Sequence, residues 1–402
     1  MQIFRVLIVL ILSIQYGFSQ KWEMLSSMPP DAKGRNHPVT FAINGLGYVG
    51  VGLDTSSYLT DFYSYNPTND AWTKLGDFPD YGRGYAYGLN YEGKGYLGFG
   101  IDTSSGFKND MWEYDPAIDQ WTKKADCPCQ ARAHPAFLEI NGKIYVGLGS
   151  GSSGDLGDWW EYDIQNDSWA EKKSFPALRR HHPYYFGVNG LAYVGMGHHA
   201  EFIFNDLYEY DPVTDEWKAM TSLPSQGRVA GQQFAYNGNG YVLSGQGETH
   251  NYLPDGEFWE FNPTVNTWEQ LESHPGLGRW APGSFVIGDS IYFTCGEDTS
   301  GNKADLMRYV FENKPNKVAD VTDMKLLSIF PNPAQGQLNF NLTSSSLFPL
   351  QVQIINMNGV VVLDRLTTEN NINIETLPPG VYDCVISRGK EVVQAKFVKG
   401  KM

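Results

Sequence analysis

Cysteine is scarce, with only Cys127, Cys129, Cys295 and Cys384 in 402 residues. No two of them stand at C-x-x-C or zinc-type spacing, which excludes the common zinc modules and thioredoxin-like redox motifs. A bridge from Cys127 or Cys129 to Cys295 is one arrangement, and four ordinary core or loop thiols are the other. Charge is also sparse, at 19 % of residues, which is low for a helical protein. Basic residues number 30 against 45 acidic ones, for a net charge of −15. A chain this acidic repels phosphate backbones and anionic headgroups, so nucleic acid and membrane surfaces are excluded as partners. A P-loop and a nucleophile elbow are both missing. Beyond the N-terminus there is no apolar run long enough to cross a bilayer.

What the chain does have is aromatic residues (14 %), 43 Gly and 22 Pro, a mix that suits many short strands joined by turns. Its N-terminus, MQIFRVLIVLILSIQYGFSQ, carries Arg5, a short apolar run from Val6 to Ile14, then Gly17 and Ser19. That is the layout of a signal peptide, residues 1–19, with cleavage expected between Ser19 and Gln20. No transmembrane segment remains after cleavage.

Length alone allows two or three domains, but a repeat reduces the count. Trp22, Trp72, Trp121, Trp169, Trp217 and Trp268 recur every 48 to 51 residues. Other landmarks keep step with them. Arg35, Arg83, Arg132, Arg180, Arg228 and Arg279 form one series, and Tyr48, Tyr96, Tyr145, Tyr193, Tyr241 and Tyr292 another. An acid opens each aromatic strand at Asp61, Asp110, Asp158, Asp206, Glu257 and Asp305. A period near 50 fits a four-stranded propeller blade. Asn44-Gly45, Asn141-Gly142 and Asn189-Gly190 read as hairpin turns, because both central residues need positive φ. The corner in EYDPAIDQW reverses the chain between third and fourth strands, with Pro setting φ and the Asp bonding its own backbone. The recurring Trp is expected to be a buried filler between neighbouring blades. Five units run complete, and the sixth lacks its Trp strand. The segment KWEMLSS at 21–27 supplies it, so six blades close with the N-terminal strand as latch.

The opening with Gly34, Arg35 and His37, the Tyr-Val-Gly-x-Gly strand end and the closing Trp resemble kelch repeats over about residues 20–315. The pattern departs from kelch in having Gly-x-Gly where two adjacent Gly are usual, and Leu243 and Thr294 replace the earlier Gly in the last two units. The expected fold is therefore all-β: a six-bladed kelch-type β-propeller over 20–312, a linker at 313–325, and a small sandwich over 326–402. From Val318 onward, across the end of the linker and that segment, the chain has seven charges of each sign, so the acidity belongs to the propeller. Its Pro331-Asn332-Pro333, the stretch around Gly359, LPPGVY (Leu377 to Tyr382) and KFVK (Lys396 to Lys399) resemble the type A C-terminal sorting domain of the type IX secretion system of Bacteroidetes. The resemblance implies an immunoglobulin-like sandwich, passage through the periplasm, contact with the secretion machinery, and a product that is secreted or held on the outer cell surface.

Two loops of each unit should emerge on one face, around a central channel. The six Arg lie there, where forked hydrogen bonds suit a carboxylate or sulfate, unless each pairs with an acid of its own blade. The fourth unit departs most from the repeat, with Arg179-Arg180-His181-His182 in one loop and His198-His199-Ala200-Glu201 in the other. His182, His198, His199 and Glu201 converge if both loops share the mouth. Such a set suits a metal, although neutral polar contacts serve the residues equally and no metal or cofactor is expected. Trp280 stands where other units have small or polar residues, to stack on a sugar or to plug the channel. The expected function is a monomeric, exported binding module for a glycan or protein, with catalysis left open. The alternative is a sugar-converting enzyme, since six-bladed kelch propellers include sialic-acid epimerases, which an Arg-rich mouth resembles.

Overall fold

The structure, a computed structural model, describes residues 21–104, 106–311, 326–342, 350–357, 360–367, 369–388 and 391–400. The expected signal peptide at 1–19 and linker at 313–325 lie outside the described residues. The chain divides into two compact units, Met1–Glu312 and Asn313–Met402. Every element among the described residues is a strand, so the fold is all-β.

The first unit holds six four-stranded antiparallel sheets among its described residues. The third sheet is typical, with strands Ala136–Ile140, Lys143–Gly147, Trp159–Asp163 and Ser168–Lys172 in that order. Its first hairpin turns at Asn141 and Gly142, at φ 51° and 79°, as Asn44-Gly45 and Asn189-Gly190 do in theirs. The next corner is fixed by Asp side chains bonding backbone ahead of them, as when Asp115 accepts from the Ala117 amide at 2.9 Å. The innermost strands touch in a cycle: Val39–Ile43, Tyr87–Tyr91, Ala136–Ile140, Tyr184–Val188, Gln232–Tyr236, Gly283–Ile287 and back to the first. Closure follows from the edge of the last sheet. Trp22–Leu25 pairs with Leu306–Val310, Trp22 opposite Tyr309, so the first and last strands described in this unit share one sheet.

Sheets meet through rings packed on glycine. The Phe285 ring would lie 2.2 Å from a Cβ at Gly47, and Phe41 2.4 Å from one at Gly95, so only glycine admits the neighbouring sheet's aromatic residue. Trp159 is fully buried, edge-on to Trp217 at 5.2 Å. A buried ring of this size contributes roughly 4–6 kcal/mol gross, as an upper bound.

The repeated Trp corrects the expectation of a plain filler. Trp22 is buried, but Trp72, Trp121, Trp169, Trp217 and Trp268 are only half-buried. They act as stitches: Trp72, Trp169, Trp217 and Trp268 donate Nε1–H to the carbonyls of Ser26, Ala125, Lys173 and Thr221, each on the preceding sheet's outgoing strand or loop. The corner residue adds a second stitch. Asp70, Asp119, Asp167 and Asp215 each accept from a backbone amide of that segment, at Ser26, Gly76, Ala125 and Lys173. The corner therefore recurs because it joins blades as well as reversing the chain.

In the second unit, one sheet has Leu326–Phe330, Gln337–Leu342 and Asn371–Asn373, and the other has Val361–Thr367, Leu350–Asn356, Gly380–Arg388 and Glu391–Lys399. Leu338, Phe340 and Ile372 from the first, with Val352, Ile354, Cys384 and Phe397 from the second, share one core.

Candidate functional site: a histidine cluster at one end of the ring

The six arginines do not form a free rim. Each is at most 5 % exposed and paired to the acid of its own sheet. Arg35, Arg83, Arg132, Arg180 and Arg279 grip Asp61, Asp110, Asp158, Asp206 and Asp305 with both terminal nitrogens, at 2.5 to 3.0 Å. The same guanidinium donates to the carbonyl sixteen residues on, such as Leu148 for Arg132 at 3.0 Å. Burial drives the Asp158 carboxyl upward, but Arg132 outweighs it and holds the group below its usual range. Arg228 makes a single contact, 2.6 Å to Glu257. Five of the forks are thus spent inside the sheets, and Arg228, whose Nε and Nη1 have no partner, is fully buried, so none stands exposed to an acidic ligand.

Two residues after each arginine the backbone turns left-handed, at His37, Tyr85, His134, His182, Ala230 and Ala281, with φ from 43° to 60°. Amide-to-carbonyl bonds tie neighbours in this series, from His182 to His134 at 3.2 Å and from His37 to Ala281 at 2.8 Å. The series rings the axis, so side chains far apart in sequence converge. His134 and His182 lie with ring centroids 3.7 Å apart, and Tyr85 meets both His37 and His134 edge-on at 4.4 and 4.6 Å. Trp280 stands 4.8 Å from His182 and 5.9 Å from His37. Further along the inner strands, Thr40, Tyr87, Tyr185, Gln233 and Ser284 line a small cavity of about 90 Å³.

Hydrogen bonds fix the tautomers. Asn36 Nδ2 donates to Glu297 and Asn302, so its Oδ1 faces His37 Nδ1 at 2.8 Å and must accept. His37 Nε2 is then a lone pair, and His182 Nε2–H donates to it at 3.1 Å. That leaves His182 Nδ1, buried and without a hydrogen-bond partner. Burial pushes His37 down to about 3 and His134 and His182 well below their ordinary value, so all three imidazoles are neutral.

Towards the loops the cluster continues. His181 and His198 exchange backbone bonds at 3.0 Å in each direction, and their rings stand 3.8 Å apart. Asp155, from the third sheet's loop, accepts from His181 Nδ1 and His199 Nδ1, both at 2.7 Å. His250 lies 5.0 Å from His198. Tyr58, Tyr85, Tyr252 and Trp280 are half-buried, and Tyr58 meets Tyr85 at 6.2 Å. Beside Asp155 opens a cleft of about 720 Å³ whose lining includes Gln130, Leu178 and Arg179.

Of the residues singled out from sequence, the structure therefore brings together His182, His198 and Trp280, with His199 tied in through Asp155. Glu201 is exposed on its hairpin turn. Sequence reasoning missed His37, His134, His181, Tyr85 and Asp155. The available signal was register, since His37, His134 and His182 share one position of the repeat. The cysteines follow neither expected arrangement in full: Cys127 pairs with Cys129 instead of with Cys295 or standing as a free thiol, and Cys295 and Cys384 are buried and free.

Comparisons with known proteins bear on both units. Residues 328–400 match the family described as secretion system C-terminal sorting domain. The protein is exported. Its sorting tail marks it for the type IX secretion machinery and for the cell surface or the medium. The solved structure of YjhT is similar in fold, with a TM-score of 0.60 at 18 % identity, covering 72 % of this chain and 98 % of that one. No curated protein matches the chain. Among the described residues no helix is long and apolar enough to cross a membrane.

Proposed function

We propose that the first unit is a monomeric six-bladed kelch propeller, delivered to the outer surface or the medium, that binds a glycan at its histidine-lined mouth. The observation carrying this reading is the set of half-buried rings there, Tyr58 against Tyr85 and Trp280 on the other side of His37, near Glu297, which accepts from Asn36. A half-buried ring offers an apolar face for the C–H side of a sugar, and a carboxylate fixed beside it suits hydroxyls. Domain limits of 20–312 for the propeller and 326–402 for the sorting domain go with this reading.

A glycan array read with the purified protein tests it. Binding that survives in the wild type and falls at least ten-fold in Trp280→Ala supports the mouth as the site. Binding unchanged by that substitution would place the ligand elsewhere, and a protein partner is then the better candidate. The epimerase alternative rested on a rim of arginines, and those are internally paired. Proton NMR of sialic-acid anomer exchange tests what remains of it.

A further inference from the structure

We propose that His181, His182 and His198 form a site for one divalent transition-metal ion, Zn²⁺ or Cu²⁺ by class, with Asp155 as the positioning residue behind His181. One ring nitrogen from each histidine lies within 4.8 Å of the other two. Tetrahedral nitrogen ligands at metal–nitrogen distances of about 2.0–2.1 Å stand roughly 3.4 Å apart, so rotamer adjustments of an ångström or so close the set.

Each of the three has a lone pair to give. Asp155 accepts from His181 Nδ1, which leaves Nε2 unprotonated, and a carboxylate behind an imidazole is the usual second layer of a metal site. The chain from Asn36 through His37 protonates His182 at Nε2 and frees Nδ1. His198 has neither ring nitrogen hydrogen-bonded, although both are buried. Orphaned buried nitrogens are costly, and a metal ion would satisfy His182 Nδ1 and the unprotonated nitrogen of His198 together. An all-imidazole set suits zinc and copper rather than calcium or magnesium, which take oxygen ligands. The deeper trio of His37, His134 and His182 also lies within 4.8 Å. There, however, the one lone pair of His37 is occupied by His182. His181 and His198 are half-buried, so an ion can reach this set from the mouth.

The test uses the full chain without a polyhistidine tag, titrated with Co²⁺ as a spectroscopic stand-in and then with Zn²⁺. One Co²⁺ per chain with visible d–d absorption, displaced by one Zn²⁺, is expected. His198→Ala should abolish the absorption. Asp155→Ala should weaken binding by about ten- to a hundred-fold, while His134→Ala, which touches only the deeper trio, keeps one ion bound. Thermal melts and circular dichroism confirm that each variant folds. No stoichiometric ion in the wild type, or binding undiminished in His198→Ala, overturns the proposal. So does binding lost in His134→Ala but kept in His198→Ala, which would locate the ion in the deeper trio. None of these readouts depends on glycan binding.

Discussion

Trp22 donates its indole Nε1–H to the carbonyl of Glu272 at 3.0 Å, across 250 residues of sequence. The bond crosses from the sixth sheet to the fifth, and the ring is buried among Phe258, Phe293 and Tyr309. Losing it opens a cavity at the seam where the ring closes. Trp22→Ala should cost about 3–5 kcal/mol, the range for large-to-small changes at buried aromatic positions. Trp268→Ala, at a half-buried counterpart, should cost less. Thermal melts of both variants and of a chain lacking residues 21–27 make the comparison; an unshifted melt in the truncated chain would contradict closure through this strand.

The arginine pairs are predicted to serve stability. In Asp158→Ala the Arg132 guanidinium stays buried with its charge unanswered, and such losses run about 3–5 kcal/mol. Glu257→Gln should be milder, because Arg228 makes only one contact to that carboxylate. Urea denaturation gives both values. A loss below about 1 kcal/mol for Asp158→Ala, the range of exposed pairs, would mean that Arg132 is not held as described.

The parts of the fold that could be read from sequence are those where a residue type answers a backbone demand. Asn44-Gly45 shows because both residues sit at positive φ, and Asp115 because it bonds the backbone two residues on. The Trp was legible as a repeat but not as a stitch, since its partner, such as Ala125 for Trp169, is a backbone carbonyl and leaves no trace in residue identity. The site was harder still. His37 and His182 are 145 residues apart and meet only because the left-handed turns ring one axis. The pairing of Cys127 with Cys129 was hidden because C-x-C spacing carries no strong pattern of its own.

Acid should weaken the same seam through His274. This ring is buried beside Trp22 and Phe293, donates Nδ1–H to the Pro275 carbonyl, and at Nε2 accepts from the Ser244 hydroxyl. Burial pushes it down to about 4; the Pro275 carbonyl, Asp305 and Asp298 oppose the shift, and Arg279 adds to it. The unfolded chain binds the proton at its ordinary value near 6.5, so stability is full above that pH and falls as pH drops from 6.5 to 4. The loss at this one site is about 3 kcal/mol from the size of the shift. His274→Gln should flatten that part of the stability curve, with the other histidines common to both proteins. An NMR titration midpoint for His274 near 6.5 would refute it.

Removing residues 326–402 should separate folding from destination. The sorting unit carries its own core, built from residues such as Leu338, Val352 and Cys384. The ring of sheets closes without it, through the pairing of Trp22–Leu25 with Leu306–Val310. The truncated chain is therefore expected to fold, to resist protease as the full chain does, and to accumulate in the periplasm instead of reaching the surface or medium. Cell fractionation with protease protection reads both properties together. Secretion that persists without the tail would detach export from the sorting domain, whereas a periplasmic product that is protease-sensitive would show that the ring depends on the second unit.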